Sequence, residues 1–227
     1  LEQTCLWVPD CSLRSHPGMG VWAVLADMST KFLRDGQEAA VIDVGSNSVR
    51  LVVYRIDGRA MTPILNEKVM AGLGREGART GSLSKDGVDQ ALRAVRRFAT
   101  LIDALQIMDV YAVGTAAVRE AKDGKEFAAR MEAESGIKLR ILSGEEEARL
   151  SALGVMAGAP DAKGLVGDLG GASLELIEIS PKGVGRGETF PLGPLTLMDE
   201  GEFDYGKVSK QVEQVLDRTK LLGKRGG

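Results

Sequence analysis

Two stretches of this chain end an apolar run in an aspartate and follow it at once with small, turn-forming residues. The first, AAVIDVGSNSVRLVV at 39–53, breaks after Asp43 into Gly45, Ser46, Asn47 and Ser48 before a second apolar run opens at Val49. The second, GLVGDLGGASLELIEI at 164–179, breaks after Asp168 into Gly170, Gly171, Ala172 and Ser173. Each predicts a strand, a tight polar loop and a returning strand. Such a loop aims backbone N–H groups and short hydroxyls at one point, which suits a phosphate, while a carboxylate at the strand end suits a hydrated divalent ion. One loop alone is an ordinary hairpin turn. Two, with their aspartates 125 residues apart, imply related half-domains that hold a phosphate ligand between them.

The elements that must position these loops follow from the periodicity. Strands at 39–44, 48–56 and 59–70 form a meander, with Asp57 and Gly58 as the turn between the second and third. A Gly- and Arg-rich loop at 71–81 leads to a helix over 84–105. There Ser84 can cap the N-terminus, Val88, Leu92, Val95, Phe98, Leu101 and Leu105 recur at helical spacing, and Arg93, Arg96 and Arg97 fall mostly on other faces. A strand at 109–114, a helix at 122–134, a strand at 137–142 and a helix at 144–156 complete a first unit, residues 38–160. The fold class is α/β, and the order βββαβαβα is that of a ribonuclease-H-like unit.

Residues 161–227 repeat the start of that pattern, with strands at 164–169, 172–180 and 183–190. A linker-like turn at 191–194 precedes an amphipathic helix at 206–222 with Val208, Val212, Val215 and Leu222 inward. This is the N-terminal part of a second unit of the same kind, truncated. With three strands and one helix, Leu165, Leu174, Leu176, Ile177 and Ile179 would lack packing partners. That half is therefore expected to be mobile, self-associated or completed by a second copy in a homodimer. Residues 1–37 carry both Trp, both Cys (Cys5, Cys11) and the single His16, show no sustained period, and are expected to form a mobile N-terminal extension.

Composition narrows the function. A net charge of −3 and a pI near 5.4 argue against general nucleic-acid binding, so a polyanionic ligand must be met by locally placed Arg and Lys. Two Cys supply neither a metal-ligand set nor a disulfide framework, and one His excludes His-based triads. No apolar run approaches the roughly 20 residues that would span a bilayer, and a cytoplasmic location without membrane contact is expected.

Four blocks, AVIDVGSNSVRL at 40–51, GTAAVREA at 114–121, LSGEEEARLSALGV at 142–155 and LVGDLGGASLEL at 165–176, resemble in order and spacing the exopolyphosphatase and guanosine pentaphosphate phosphohydrolase family. Its fold is that of actin, the sugar kinases and the heat-shock ATPases. The resemblance implies a phosphohydrolase that removes terminal orthophosphate from inorganic polyphosphate or from guanosine pentaphosphate, with polyphosphate or guanosine penta- or tetraphosphate as binding partner and Mg2+ as cofactor. It further implies phosphate loops at Gly45, Ser46, Asn47, Ser48 and at Gly170, Gly171, Ala172, Ser173, metal-holding carboxylates at Asp43 and Asp168, a phosphoryl-gripping Arg119 and a catalytic Glu147. Ala172 stands where the family usually has a third glycine. The chemistry agrees: phosphoanhydride hydrolysis needs an in-line water, a group to orient it and positive charge over the equatorial oxygens, which the fork of an arginine supplies bidentately.

Blander roles exist for the same residues. Three glutamates, Glu145 to Glu147, favour a helix N-terminus through its dipole alone; Arg119 by default is a solvated arginine; and Arg75, Arg79, Arg93, Arg96 and Arg97 are by default a soluble face. A kinase of the same fold, or a sensor that binds the polyphosphate or alarmone without efficient turnover, are the alternatives to the hydrolase.

Overall fold

The computed structural model describes residues 36–57, 60–198 and 204–222. The expected extension, up to residue 35, and the turn at Gly58 lie outside them. Three strands open the described chain: β1 (Gln37–Val44), β2 (Val49–Asp57) and β3 (Ala60–Val69). They are followed by α1 (Gly77–Thr80), α2 (Lys85–Ala104), β4 (Asp109–Gly114), α3 (Ala116–Glu120), α4 (Gly124–Ser135), β5 (Leu139–Ile141) and α5 (Gly144–Gly158). The remainder is β6 (Gly164–Leu169), β7 (Leu174–Ser180), β8 (Gly183–Phe190), α6 (Pro194–Leu197) and α7 (Tyr205–Leu216).

β1 to β5 form one mixed sheet in the order β3-β2-β1-β4-β5, antiparallel within the meander and parallel from β1 through β4 to β5; β6, β7 and β8 form a second, antiparallel sheet. Both faces of the first sheet are covered, and the two-residue period of its strands divides the core. Ala40, Ile42, Leu51 and Val53 join Leu92, Val95 and Phe98 of α2 and Phe127 and Met131 of α4 in one cluster. Val41, Val52, Tyr54 and Val113 join Leu142 and Leu150 in the other. Each such fully buried aliphatic side chain contributes on the order of 2 kcal/mol.

The order of elements matches the sequence expectation, with local differences. β1 begins at Gln37, inside the expected extension. α1, α3 and α6 are single-turn helices where only loops were expected, too short to carry a periodic signal. Leu105 is exposed, as the C-cap of α2, and Ile102 takes the inward place instead.

The expected uncovered apolar face of the second sheet does not occur. Leu165, Leu176, Ile177 and Ile179 are 8%, 4%, 2% and 6% exposed, and Leu174 is half-buried. The reason is α5, which the sequence order assigns to the first unit: its Ala148 and Ala152 pack on Val166, Ile177 and Ile179, while Leu150, two residues away on the helix, packs under the first sheet. α5 is thus a shared layer, and a homodimer loses the argument based on an uncovered face.

Candidate active site

The two hairpin turns are built alike down to single hydrogen bonds. In the β1–β2 turn the Gly45 N–H donates to Ser48 O at 3.0 Å; in the β6–β7 turn the Gly170 N–H donates to Ser173 O at 2.9 Å. The segment after the third strand then returns to tether each turn. Gly72 and Gly74 donate their N–H groups to Asn47 O (2.9 Å) and Ser46 O (2.8 Å), while Gly193 and Leu195 donate theirs to Ala172 O (3.1 Å) and Gly171 O (2.8 Å). Because a peptide unit is planar and trans, a carbonyl held from one side turns the following N–H to the other. The N–H groups of Asn47, Ser48, Ala172 and Ser173 therefore face away from the tethers, on the side where an anion could accept from them. The methyl of Ala172 does not disturb it: the Ala172 carbonyl also accepts from Thr196 Oγ1 at 2.7 Å. The turns abut, since a Cβ built on Gly171 or on Gly74 would come within 3.0 or 3.1 Å of Ser46 Cβ. Gly193 is required where it stands, because a Cβ there would meet the Ala172 backbone at 2.3 Å.

Arg119 and Glu147 meet beside these turns. Glu147 lies in the first turn of α5, and the glutamate triplet divides its tasks. Glu146 forms a capping box with Ser143 and pairs with Arg140, which is the capping role expected of the whole triplet; Glu145 is exposed. Glu147 turns inward and accepts from Arg119 Nη1 at 2.7 Å, with the two side chains only 14% and 18% exposed. Arg119, at the end of α3, is further held by Leu142 O (3.1 Å from Nη1) and by Glu120 Oε1 (2.9 Å from Nε), so it is not a solvated surface arginine. Gly124 lets α3 dock at the start of α4: a Cβ there would lie 1.9 Å from Val118 O. Of the other arginines, Arg96 and Arg97 form exposed pairs with Glu134 and Glu67, and Arg75, Arg79 and Arg93 are exposed, as a soluble face would be.

Four carboxylates, Asp43, Glu147, Asp168 and Glu175, share the neighbourhood. Burial, then the charges of Glu147 and Asp168, lift Asp43 to about 7 against the opposing pull of Arg50 and Lys68. Burial lifts Glu147 as well, only partly offset by Arg119. Glu175, which was not expected from the sequence, is 1% exposed, and burial followed by the charge of Glu147 lifts it to about 8. Among the described residues its Oε1 has no hydrogen-bond partner, and neither has Thr189 Oγ1. A signal for Glu175 did exist: it follows Asp168 by seven residues as Arg50 follows Asp43. In the first sheet Asp43 pairs across strands with Arg50 and Arg50 with Lys68; in the second, Asp168 pairs with Glu175 and Glu175 with Thr189. The two equivalent rows are thus basic on one side and acidic on the other.

A cavity of about 540 Å3 opens beside the site, with Arg119, Glu120 and Ser173 among its polar residues and Leu73, Phe190 and Leu195 among its apolar ones. No three acidic, His or Cys side chains among the described residues stand close enough together to hold a metal ion by themselves. The donor chemistry nonetheless fits Mg2+, a hard cation that keeps several waters and takes one or two protein carboxylates. Asp43, with its ionisation opposed by neighbouring carboxylates, is a group that such a cation would relieve.

A duplicated strand–turn–strand unit with an aspartate one residue before the end of each first strand defines the class: an actin-like α/β protein. The model of the Ppx/GppA phosphatase family matches residues 52–218, well over half of the 227. The chain belongs to the Ppx/GppA phosphatase family. Exopolyphosphatase 1 of Mycobacterium tuberculosis is 33% identical over 139 residues, 60% of this chain and 40% of that protein; for the Mycobacterium leprae protein the figures are 33% over 141 residues, 60% and 41%. Among solved structures, the Ppx/GppA family member of Aquifex aeolicus has a TM-score of 0.66 at 28% identity, covering 80% of this chain and 60% of that one. An exopolyphosphatase from Cytophaga hutchinsonii has a TM-score of 0.66 at 25% identity, covering 82% and 61%. The chain therefore spans about 40% of the length of the curated relatives it matches. No helix among the described residues is long and apolar enough to cross a membrane.

Proposed function

We propose that this chain carries the catalytic cleft of a phosphohydrolase that removes terminal orthophosphate from inorganic polyphosphate, or equally from guanosine pentaphosphate. The observation that carries the reading is the partly buried Arg119–Glu147 pair beside two N–H cradles. On this reading residues 38–160 form a ribonuclease-H-like unit and 161–227 the beginning of a second one, each contributing one cradle. The turn N–H groups bind the phosphate oxygens, and Arg119 swings from Glu147 to donate its fork to the terminal phosphoryl group. Glu147, relieved of that partner, orients a water in line and takes its proton as the new O–P bond forms; the bridging P–O bond breaks, and the shortened chain leaves on its own phosphate oxygen. Arg50 and Lys68 lie on the side of Asp43 and offset the charge of the remaining phosphates. Asp43 and Asp168 would hold Mg2+, which supplies neutralisation of the phosphate charge.

Orthophosphate release from polyphosphate and from guanosine pentaphosphate, each with and without Mg2+, tests the reading and ranks the two substrates. Release from either substrate, dependent on Mg2+, is expected. Tight binding of both with no release would leave a binding protein in place of the hydrolase.

A further inference from the structure

Ser151 occupies a position that neither helix formation nor packing explains. It lies four residues after Glu147, one turn further along the same face of α5, and is 1% exposed. Its helix neighbours toward the second sheet, Ala148 and Ala152, fill that layer with methyl groups. Inside a helix a serine is less favourable than alanine by about 0.5 kcal/mol, and its hydroxyl ordinarily bonds back to a carbonyl of the preceding turn. Here the Ser151 hydroxyl instead leaves the helix and donates to Asp168 Oδ2 on β6.

That bond determines what Asp168 can present. With Oδ2 accepting this bond, the carboxylate cannot rotate freely. The same helix thus carries two groups of the site on successive turns: Glu147, which holds Arg119, and Ser151, which holds Asp168. α5 packs against β6, β7 and β8, so the hydroxyl and the carboxylate are fixed by two rigid elements rather than by a loop. Partners of this kind, one bond removed from a metal-holding carboxylate, typically alter metal affinity by 10- to 100-fold when removed.

We infer that Ser151 is a positioning residue that fixes the orientation in which Asp168 would meet the divalent cation, and so sets the metal affinity of the site. This rests on Asp168 holding the cation, as proposed above. Its effect reaches the reaction only through Asp168, the group to which its hydroxyl donates.

The test uses the 227-residue chain with Ser151→Ala, which removes the hydroxyl and leaves only a small gap, and Ser151→Thr, which keeps it. Mn2+ binding is measured directly by electron paramagnetic resonance titration without substrate, beside the thermal midpoint of each variant. The expected result is a Mn2+ affinity reduced about 10-fold or more in Ser151→Ala and restored to within about threefold of wild type in Ser151→Thr. In the phosphate-release assay, the Mg2+ concentration for half-maximal activity should rise in Ser151→Ala while the polyphosphate KM stays within about twofold. Equal Mn2+ affinity in wild type and Ser151→Ala overturns the inference, as does wild-type protein that binds no Mn2+. A loss in Ser151→Ala that follows only its thermal midpoint also overturns it, by giving Ser151 a merely structural role. Phosphate release by wild type is read separately: its absence, with the Mn2+ difference intact, counts against the hydrolase and not against Ser151.

Discussion

Replacing Glu147 with glutamine separates holding the site together from doing its chemistry. The change keeps the shape and leaves a carbonyl oxygen where Arg119 Nη1 now donates at 2.7 Å. Two opposing effects on stability follow. A partly buried ion pair becomes a neutral hydrogen bond, and one of four mutually repelling carboxylates loses its charge, which eases Asp43 and Glu175, both raised by Glu147. With the pair only 14% and 18% exposed, solvent screens neither effect much, but the two oppose each other and the hydrogen bond persists, so the net change in stability should stay within about 1 kcal/mol. The chemistry has no such compensation, because an amide cannot take the proton from the attacking water. A positioned base contributes roughly 100- to 10,000-fold, so turnover should fall at least about 100-fold, or about 2.7 kcal/mol in the barrier. The KM should stay the same or fall, since Arg119 no longer has to leave a carboxylate to reach the phosphate. Steady-state orthophosphate release over a range of polyphosphate concentrations, with the thermal midpoint of the same preparation, reads both. A variant that keeps more than about a third of wild-type turnover, or loses turnover only as it unfolds, would remove Glu147 from the mechanism.

Arg119→Ala should raise KM and lower turnover together, with Arg119→Lys recovering part of each because it loses the bidentate fork; unchanged parameters in the alanine variant would return Arg119 to a structural role. Gly124→Ala, whose Cβ would sit 1.9 Å from Val118 O, should lower stability by about 2 kcal/mol and displace the neighbouring Arg119; an unaltered urea midpoint would contradict the tight α3–α4 joint. Asp43 and Glu175 hold their protons in the fold up to about pH 7 and 8, whereas the unfolded chain releases them near 3.8 and 4.5. Their contribution to stability is therefore complete below about pH 4 and is lost as pH rises through about 7 to 8, so the urea midpoint should fall from pH 5 to pH 8.5, with Mg2+ reducing the fall. A midpoint that rises over that range would mean these carboxylates are not buried together.

The hairpins were legible because strand, turn and aspartate leave a local signature. β4, β6 and β8 match the ranges read from the sequence, and Asp43, Asp168 and both turns lie where periodicity puts them. What the chain order conceals is which sheet a helix covers. α5 closes the first unit in sequence but packs mainly on the second sheet, and that reversal accounts for the covered apolar face at Leu165 and Ile177. Glu175 stands as one polar residue in an apolar strand, and alternation alone cannot tell an outward glutamate from one buried against a cleft. The bonds that fix the site, Ser151 to Asp168 and Arg119 to Leu142 O, join residues 17 and 23 apart, and nothing in local composition announces them.

If the paired cradles present the end of a phosphoanhydride chain to a water held by Glu147, each cleavage removes one terminal phosphate. Phosphorus-31 NMR of a short polyphosphate of defined length, incubated with the chain and Mg2+, tests it most directly because terminal and internal phosphates resonate apart. Orthophosphate should grow in step with the loss of internal phosphates while the number of chain ends stays constant, and the same protein with Glu147→Gln should leave the spectrum unchanged over the same interval. New chain ends from internal cleavage, pyrophosphate as the released product, or equal orthophosphate release by the glutamine variant would contradict it.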